Sequence, residues 1–276
     1  MSGRFAGRRA VITGASRGIG AAVAERLAAE GADVAITART LDQHDHLAGS
    51  LTQTRQRAAR CGARVAVIVA DLTDEHQRDT IIPTAADELG GPIDILVNNA
   101  AAAIYQPIAT YPLRRRRVTF EANVHAPLDL IQAVIPGMRA ARRGWVVNVS
   151  SASASIKAGP PFDLVPPGAD QAVYAASKAA LNRLTNGLGA ELYGTGIRVN
   201  TIQPRAGVLT EGAKALVGKT LKPEQVESLE EMVEAVVALC DCPETVTGQI
   251  HVSLDLIRDW GLRVHGLDGK TLESAR

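Results

Sequence analysis

The chain has 276 residues and a formal net charge of +1, with 21% charged residues. That balance excludes a general field for recruiting nucleic acid or an acidic membrane surface. With 46% hydrophobic residues it can bury a full core. The cysteines, Cys61, Cys240 and Cys242, are odd in number and lack the spacing of a disulfide framework or a zinc site.

Strand-like and helix-like segments alternate almost to the end. Ala10 to Thr13 reads as a short buried strand stopped by glycine, and Ile19 to Glu30 as an alanine-rich helix ended by Gly31. Val34 to Thr37 follows as a strand, then a helix near Leu51 to Arg60, a strand at Val65 to Val69 and a helix from Asp74 to Leu89. Ile93 to Val97 is the fourth strand. A long helix is expected from Leu113 to Met138, bent at Pro127 because proline removes a helical donor. Trp145 to Val149, a helix over Ala172 to Leu192, Ile197 to Ile202, a helix over Val226 to Leu239 and a strand near Gln249 to Ser253 complete the order. The run Arg114 to Arg117 reads as a solvated helix face, and His44-Asp45-His46 as a polar loop. The first apolar run, Ala10 to Ile12, is too short for the core of a secretory leader. No stretch approaches the roughly 18 apolar residues of a membrane span, so the expected location is cytoplasmic, with no membrane and no nucleic-acid partner.

The strands are near-continuous apolar runs, as parallel strands covered on both faces are. Repeated strand–helix units predict an α/β fold: a doubly wound Rossmann three-layer sandwich on a seven-stranded, mostly parallel sheet. No composition shift divides it, so residues 1–276 are expected to form a single domain. Three embellishments are expected on it: a proline-rich substrate loop at 158–168, a lid at 205–225 and a C-terminal tail at 254–276.

The turn Thr13-Gly14-Ala15-Ser16-Arg17-Gly18-Ile19-Gly20 leaves a predicted strand and opens a predicted helix. That is the context in which such glycines bind a dinucleotide pyrophosphate at a helix N-terminus. Gly14 allows the turn, while Gly18 and Gly20 permit close approach. An NAD site places an acid at the end of the second strand; this chain has Thr37-Ala38-Arg39-Thr40 there. Arg39, with Arg17 from the other side, suits the 2′-phosphate of NADP(H), which is the preferred cofactor. Asp42 and Asp45 keep NAD(H) open.

Far downstream, Tyr174 and Lys178 are four residues apart in one predicted helix and so share a face. An ammonium beside a phenol favours phenolate and lowers its pKa. Asn148-Val149-Ser150-Ser151 ends the fifth strand, where a hydroxyl faces the ligand crevice of a parallel sheet. The order and separation of these motifs point to a nicotinamide-dependent oxidoreductase. No metal site is expected.

As a set, Thr13-Gly14-x-x-x-Gly18-x-Gly20, Asp71-Leu72, Asn98-Asn99-Ala100, Asn123, Ser151, Tyr174-x-x-x-Lys178 and Asn200-x-x-x-Pro204 resemble the short-chain dehydrogenase/reductase family from about Gly7 to Val252. The resemblance implies that Tyr174 is the acid/base and that Ser151 orients the substrate oxygen. It implies that Lys178 holds the nicotinamide ribose and that Asn123 positions a water leading to solvent. Asp71 and Leu72 would meet the adenine, and Asn98, Ala100 and Pro204 would line the cofactor beside Gly14, Ser16, Arg17, Gly18, Ile19, Gly20 and Arg39. Two positions depart from the family pattern, Ala101 after Asn-Asn-Ala and Arg205 after Pro204, each where glycine is usual. The segment Leu47 to Leu51, Pro204-Arg205 and the tail look most like the hydroxysteroid dehydrogenase-like branch.

Ser151 and Tyr174 are 23 positions apart (174 − 151), farther than is usual in the family, and the excess is the proline-rich loop. Its Phe162 and Leu164, with Leu209 of the lid, would wall an apolar substrate pocket; the alternative is a stiff surface excursion. The expected activity is interconversion of a small apolar alcohol with its ketone or aldehyde. Reduction of an activated C=C bond and a non-catalytic NADP-binding protein are the alternatives. Alanines at 175, 176, 179 and 180 and the family resemblance predict a homodimer or homotetramer.

Overall fold

The computed structural model describes residues 3–42, 48–162, 170–205, 207–208, 210 and 226–272. Nine strands are described: β1 Arg9–Thr13, β2 Asp33–Ala38, β3 Val65–Val69, β4 Ile95–Asn98, β5 Gly144–Val149, β6 Ile197–Gln203, β7 Gly207–Val208, β8 Val226–Glu227 and β9 Ile250–Val252. The α-helices are α1 Gly18–Ala29, α2 Leu51–Ala59, α3 Glu75–Leu89, α4 Leu113–Phe120, α5 Ala126–Ala141, α6 Ala172–Glu191, α7 Leu229–Leu239 and α8 Ser253–Asp259.

Seven strands form one sheet in the order β3-β2-β1-β4-β5-β6-β9, and every pair is parallel. The period-2 geometry of the strands sorts their side chains between two cores. Ala10, Ile12, Val34, Ile36, Ile95, Val97 and Val147 join Val23 and Leu27 of α1 and Met232 and Val236 of α7. Val11, Ala35, Leu96, Val146 and Val199 join Ile81 and Ile82 of α3 and Leu130, Ile131 and Val134 of α5 on the other face. Each fully buried Leu or Ile contributes on the order of 1.5–3 kcal/mol. The sheet is a filled middle layer, and its order reverses between β1 and β4, opening the ligand crevice at their carboxyl ends.

Two local expectations are corrected. The helix foreseen over Leu113 to Met138 is two helices joined by a π turn at Glu121–His125. Pro127, expected to bend it, sits in the first turn of α5. A proline has no N–H for the carbonyl one turn earlier, and a π turn absorbs such a mismatch. The helix foreseen from Val226 starts at Leu229, because the Ser228 hydroxyl and the Glu231 carboxylate form a capping box and Val226–Glu227 is a strand against β7.

The expected tail carries structure of its own. It opens with α8, and its His265 and Thr271 bridge antiparallel. Arg26 of α1, buried, binds Glu234 of α7 at 3.0 Å and donates to the carbonyls of His265 and Gly266 at 3.4 Å each. His265 returns its N–H to Glu234 at 3.1 Å. The tail is therefore tied to the helix that starts at the glycine turn. Among the described residues, no helix is long and apolar enough to cross a membrane.

Candidate active site

The glycine turn is built by backbone economy. Gly14 has φ +66, and a Cβ there would lie 2.8 Å from Ala100 Cα. A Cβ on Gly20 would lie 2.6 Å from the Gly14 carbonyl oxygen and would also strike Asn99 Nδ2. Thr13 Oγ1 accepts from the N–H groups of Asn99 and Ala100, both at 3.0 Å. Asn99 Nδ2 donates to the carbonyls of Thr13 at 2.8 Å and Gly14 at 3.3 Å. The end of β4 thus clamps the turn after β1. Helix α1 begins here with no acidic residue in its first turn and no side-chain cap from Arg17, so its N-terminus keeps the partial positive charge that suits a phosphate.

Tyr174 and Lys178 lie on one face of α6 at the other side of the crevice. Tyr174 is 7% exposed. Its phenol is hydrogen-bonded by Ser151, which lowers its pKa, but burial and the nearby Tyr105 win and hold it well above the ordinary tyrosine value. Ser151 is placed for this by its own turn: its Oγ accepts from Ser153 N–H at 3.2 Å and Ser153 Oγ at 2.9 Å, leaving its proton to donate. Lys178 is buried, and desolvation lowers its pKa to about 8. Its Nζ donates to the Val149 carbonyl at 2.7 Å, which fixes the ammonium against the end of β5. The phenol depressed by an adjacent ammonium, as expected from the spacing, is not what this arrangement produces. Removal of the phenol from water outweighs the opposing interactions.

Several expected site residues also hold the fold together. Asn98 is buried and donates through Nδ2 to Asn148 Oδ1 at 2.9 Å across β4 and β5. Asn148 passes the chain to Thr185 at 2.9 Å, and Thr201 joins it at 2.8 Å. Asn98 therefore braces the sheet through its side chain. Asn123 in the π turn holds both backbone groups of Ala102, accepting at 2.8 Å and donating at 3.2 Å, and donates to Ser177 Oγ at 3.0 Å. Its side chain joins the loop after β4 to α6. Asp71 Oδ1 accepts from Thr73 N and Oγ1 at 2.9 Å each, so one carboxylate oxygen forms its own turn. Leu72 is partly buried against the α3–α5 core.

Arg17 donates to the carbonyls of Ala48 at 2.9 Å and Gly49 at 3.4 Å, which fastens the turn to the segment before α2. Arg39 is exposed just beyond β2 and makes no ion pair with any described residue. Asp42 accepts from Thr52 Oγ1 at 2.6 Å; Asp45 lies outside the described residues. Ser16 is buried at the turn. Ile19 packs against the α1–α7 core. Pro204 follows β6 with partial exposure, and a Cβ on Gly18 would lie 3.0 Å from Thr210, so the chain after Pro204 passes over the glycine turn.

On the substrate side Phe162 is 58% exposed, with its ring against Gly159, where an added Cβ would lie 2.5 Å from a ring carbon. An enclosed wall at Phe162 is thus not present. Leu164 and Leu209 lie outside the described residues, as does most of the lid. Arg205 pairs with Asp255 of α8, so its charge is directed to the tail. Tyr105, not anticipated as a site residue, stands edge-on to Tyr174 with ring centroids 5.4 Å apart. Among the described residues there is no group of three or more His, Cys, Asp or Glu that could hold a metal ion.

A parallel sheet with its crevice at β1 and β4, a clamped glycine turn and a Ser–Tyr–Lys set whose Tyr174 and Lys178 are buried define a nicotinamide-type oxidoreductase architecture. Residues 8–220 match the short chain dehydrogenase family, and the chain belongs to that family. Hydroxysteroid dehydrogenase-like protein 2 of Danio rerio is 28% identical over 263 residues, covering 95% of this chain and 60% of the relative. The human protein of that name is 28% identical over 262 residues with the same coverage. The chain thus spans about 60% of the length of these relatives. A short chain dehydrogenase of Mycobacterium thermoresistibile superposes with TM-score 0.80 at 28% identity, covering 94% of this chain and 89% of that one. A short chain dehydrogenase of Burkholderia cenocepacia, solved in complex with NADP, gives 0.73 at 30% identity, covering 90% and 97%.

Proposed function

We propose that the chain is an NADP(H)-dependent oxidoreductase that interconverts an alcohol with its ketone or aldehyde, with Tyr174 as acid/base. The Ser151–Tyr174–Lys178 set carries this reading: a buried phenol bonded by Ser151 and a buried lysine four residues on along the same helix face, with a turn shaped for phosphate at the end of β1. When bound, the nicotinamide supplies or accepts the hydride. The residues present fit that cofactor. Gly14 and Gly20 leave a cradle that a Cβ would fill, α1 has no acidic residue in its first turn, and Arg39, exposed and without an ion pair among the described residues, suits a 2′-phosphate.

In reduction the substrate oxygen is held between the hydroxyls of Ser151 and Tyr174, and Tyr174 Oη gives it a proton as negative charge develops there. The raised phenol pKa keeps that proton in place beforehand. In oxidation the reverse transfer requires Tyr174 first to have released its proton; its phenolate oxygen then accepts the alcohol proton, and a positive charge on Lys178 favours that form. Lys178 has one proton committed to Val149, and a further one suits a ribose hydroxyl. Asp71, Leu72, Ala100 and Pro204 complete the proposed cofactor surface, and the substrate is a small, largely apolar molecule. Exposed Ala172, Ala176 and Ala179 on α6 support close pairing of two copies in a dimer or tetramer. The test is a panel of apolar alcohols and ketones followed by NADPH absorbance. Turnover that persists in Tyr174→Phe, or a panel that turns over with NADH alone, contradicts the reading.

A further inference from the structure

We propose that Arg78 is the positioning residue for the adenine end of the cofactor site: its guanidinium ties the Asp71–Leu72 turn to the π turn that carries Asn123 and to α5. This rests on the reading of Asp71 and Leu72 as part of an NADP(H) site.

Three parts of the chain meet this one side chain. Arg78 Nη1 donates to the Leu72 carbonyl at 2.8 Å and to Glu121 of the π turn at 2.5 Å. Its Nη2 pairs with Asp129 of α5 at 2.8 Å. A planar guanidinium suits such a bridge, because its N–H groups diverge in fixed directions. The π turn is the firm end. Asn123, two residues beyond Glu121, holds both backbone groups of Ala102 and donates to the Ser177 hydroxyl. The turn after β3 is the end that is held. Gln77, next to Arg78 on α3, accepts the Asp71 N–H at 2.8 Å, so consecutive helix residues grip consecutive residues of the turn.

That turn lies beside the end of β2: Ala70 N–H donates to the Ala38 carbonyl at 3.0 Å, and Arg39 is the next residue. With Asp71 Oδ1 engaged by Thr73, Oδ2 is the oxygen that suits the exocyclic amine of adenine. Stability alone does not call for an arginine at position 78. It is 5% exposed and shares the face of α3 that buries Ile81, Ile82 and Ala85. An apolar side chain there would avoid a desolvation cost that buried ion pairs seldom recover, and Arg78 Nε has no partner among the described residues. The side chains of Glu121 and Asp129 are 34% and 33% exposed, so water can solvate both if the arginine is lost. What the arginine supplies is a fixed place for the turn.

The test is calorimetric titration of the full chain with the two halves of the cofactor. Adenosine 2′,5′-bisphosphate carries the adenine and the 2′-phosphate, and reduced nicotinamide mononucleotide carries the other end. Arg78→Met fills the same space but makes none of the three contacts. It should weaken the bisphosphate about tenfold, the worth of one hydrogen bond to a carboxylate, and leave the mononucleotide affinity as in the parent. Arg78→Lys keeps a cation between the two carboxylates but lacks the fork; it repeats the test in the same direction should the methionine variant fail to fold, as judged by circular dichroism. Bisphosphate affinity equal to the parent's in the folded variant overturns the proposal. So does an equal loss for both halves, which marks general damage rather than a misplaced adenine turn. A parent protein that binds neither half contradicts the cofactor reading and overturns the proposal with it. Failure of the oxidoreductase reading alone would appear separately, as absence of turnover in a parent that binds both.

Discussion

Glu227 offers a quantitative check on how the chain after Pro204 is anchored. It is 3% exposed on β8, accepts the Ser253 hydroxyl at 2.5 Å through Oε2, and has no partner at Oε1 among the described residues. Burial raises its pKa to about 7 from the ordinary 4.5; Glu231 adds to the rise, while Ser253 and Arg205 oppose it. Between those two pH values the folded protein keeps a proton that the unfolded chain has released. The stability associated with Glu227 is therefore fully present below pH 4.5, declines as pH rises through 7, and is flat above. The interval of about 2.5, at about 1.36 kcal/mol per pH unit, comes to roughly 3 kcal/mol. Glu227→Gln removes the titration and leaves the fold contacts nearly isosteric. Urea unfolding of both proteins at pH 5, 6, 7 and 8 should show the glutamine variant gaining on the parent by about 2.5 kcal/mol across the series. A difference that stays constant with pH would refute a buried, neutral Glu227.

The remaining expectations concern the cofactor and catalytic groups. Gly20→Ala should abolish NADPH binding and cost stability, because its methyl would meet the Gly14 carbonyl at 2.6 Å; calorimetric titration and thermal melts report the two effects. Arg39→Ala should weaken NADPH by about 1.5–3 kcal/mol, the worth of a hydrogen bond to a charged group, while leaving NADH nearly unchanged; equal losses for both cofactors would remove Arg39 from 2′-phosphate recognition. Tyr174→Phe should eliminate turnover and keep cofactor affinity, whereas Lys178→Ala should damage both, as steady-state kinetics and titration would separate.

Where the fold depends on local pattern, the sequence was sufficient to read it. Val65 to Val69 is β3 with the expected bounds, because a short apolar run between a glycine end and a polar turn has few alternatives. The glycine turn and the Tyr174–Lys178 face were legible for the same reason: four-residue spacing on a helix is a geometric certainty. What escaped reading depends on partners distant in sequence. Tyr105 meets Tyr174 across 69 positions (174 − 105), and Arg26 reaches Glu234 across 208; no local pattern announces either contact. Asn99 and Asn98 are adjacent, yet strand alternation sends one to the glycine turn and the other into the sheet, and only the register decides which. The start of α7 was available: Ser228 followed by Glu231 is a capping box, and giving that signal precedence over hydrophobic content would have placed it at Leu229.

The central claim is that this site moves hydride to or from a carbon bearing oxygen, with Tyr174 handling the proton. It is tested most directly with NADPH deuterated at the transferring position, a ketone that the panel shows to be reduced, and mass spectrometry of the product. The account predicts one deuterium on the former carbonyl carbon, and no labelled product from Tyr174→Phe. Deuterium at a C=C carbon instead, or equal labelling by Tyr174→Phe, would contradict it.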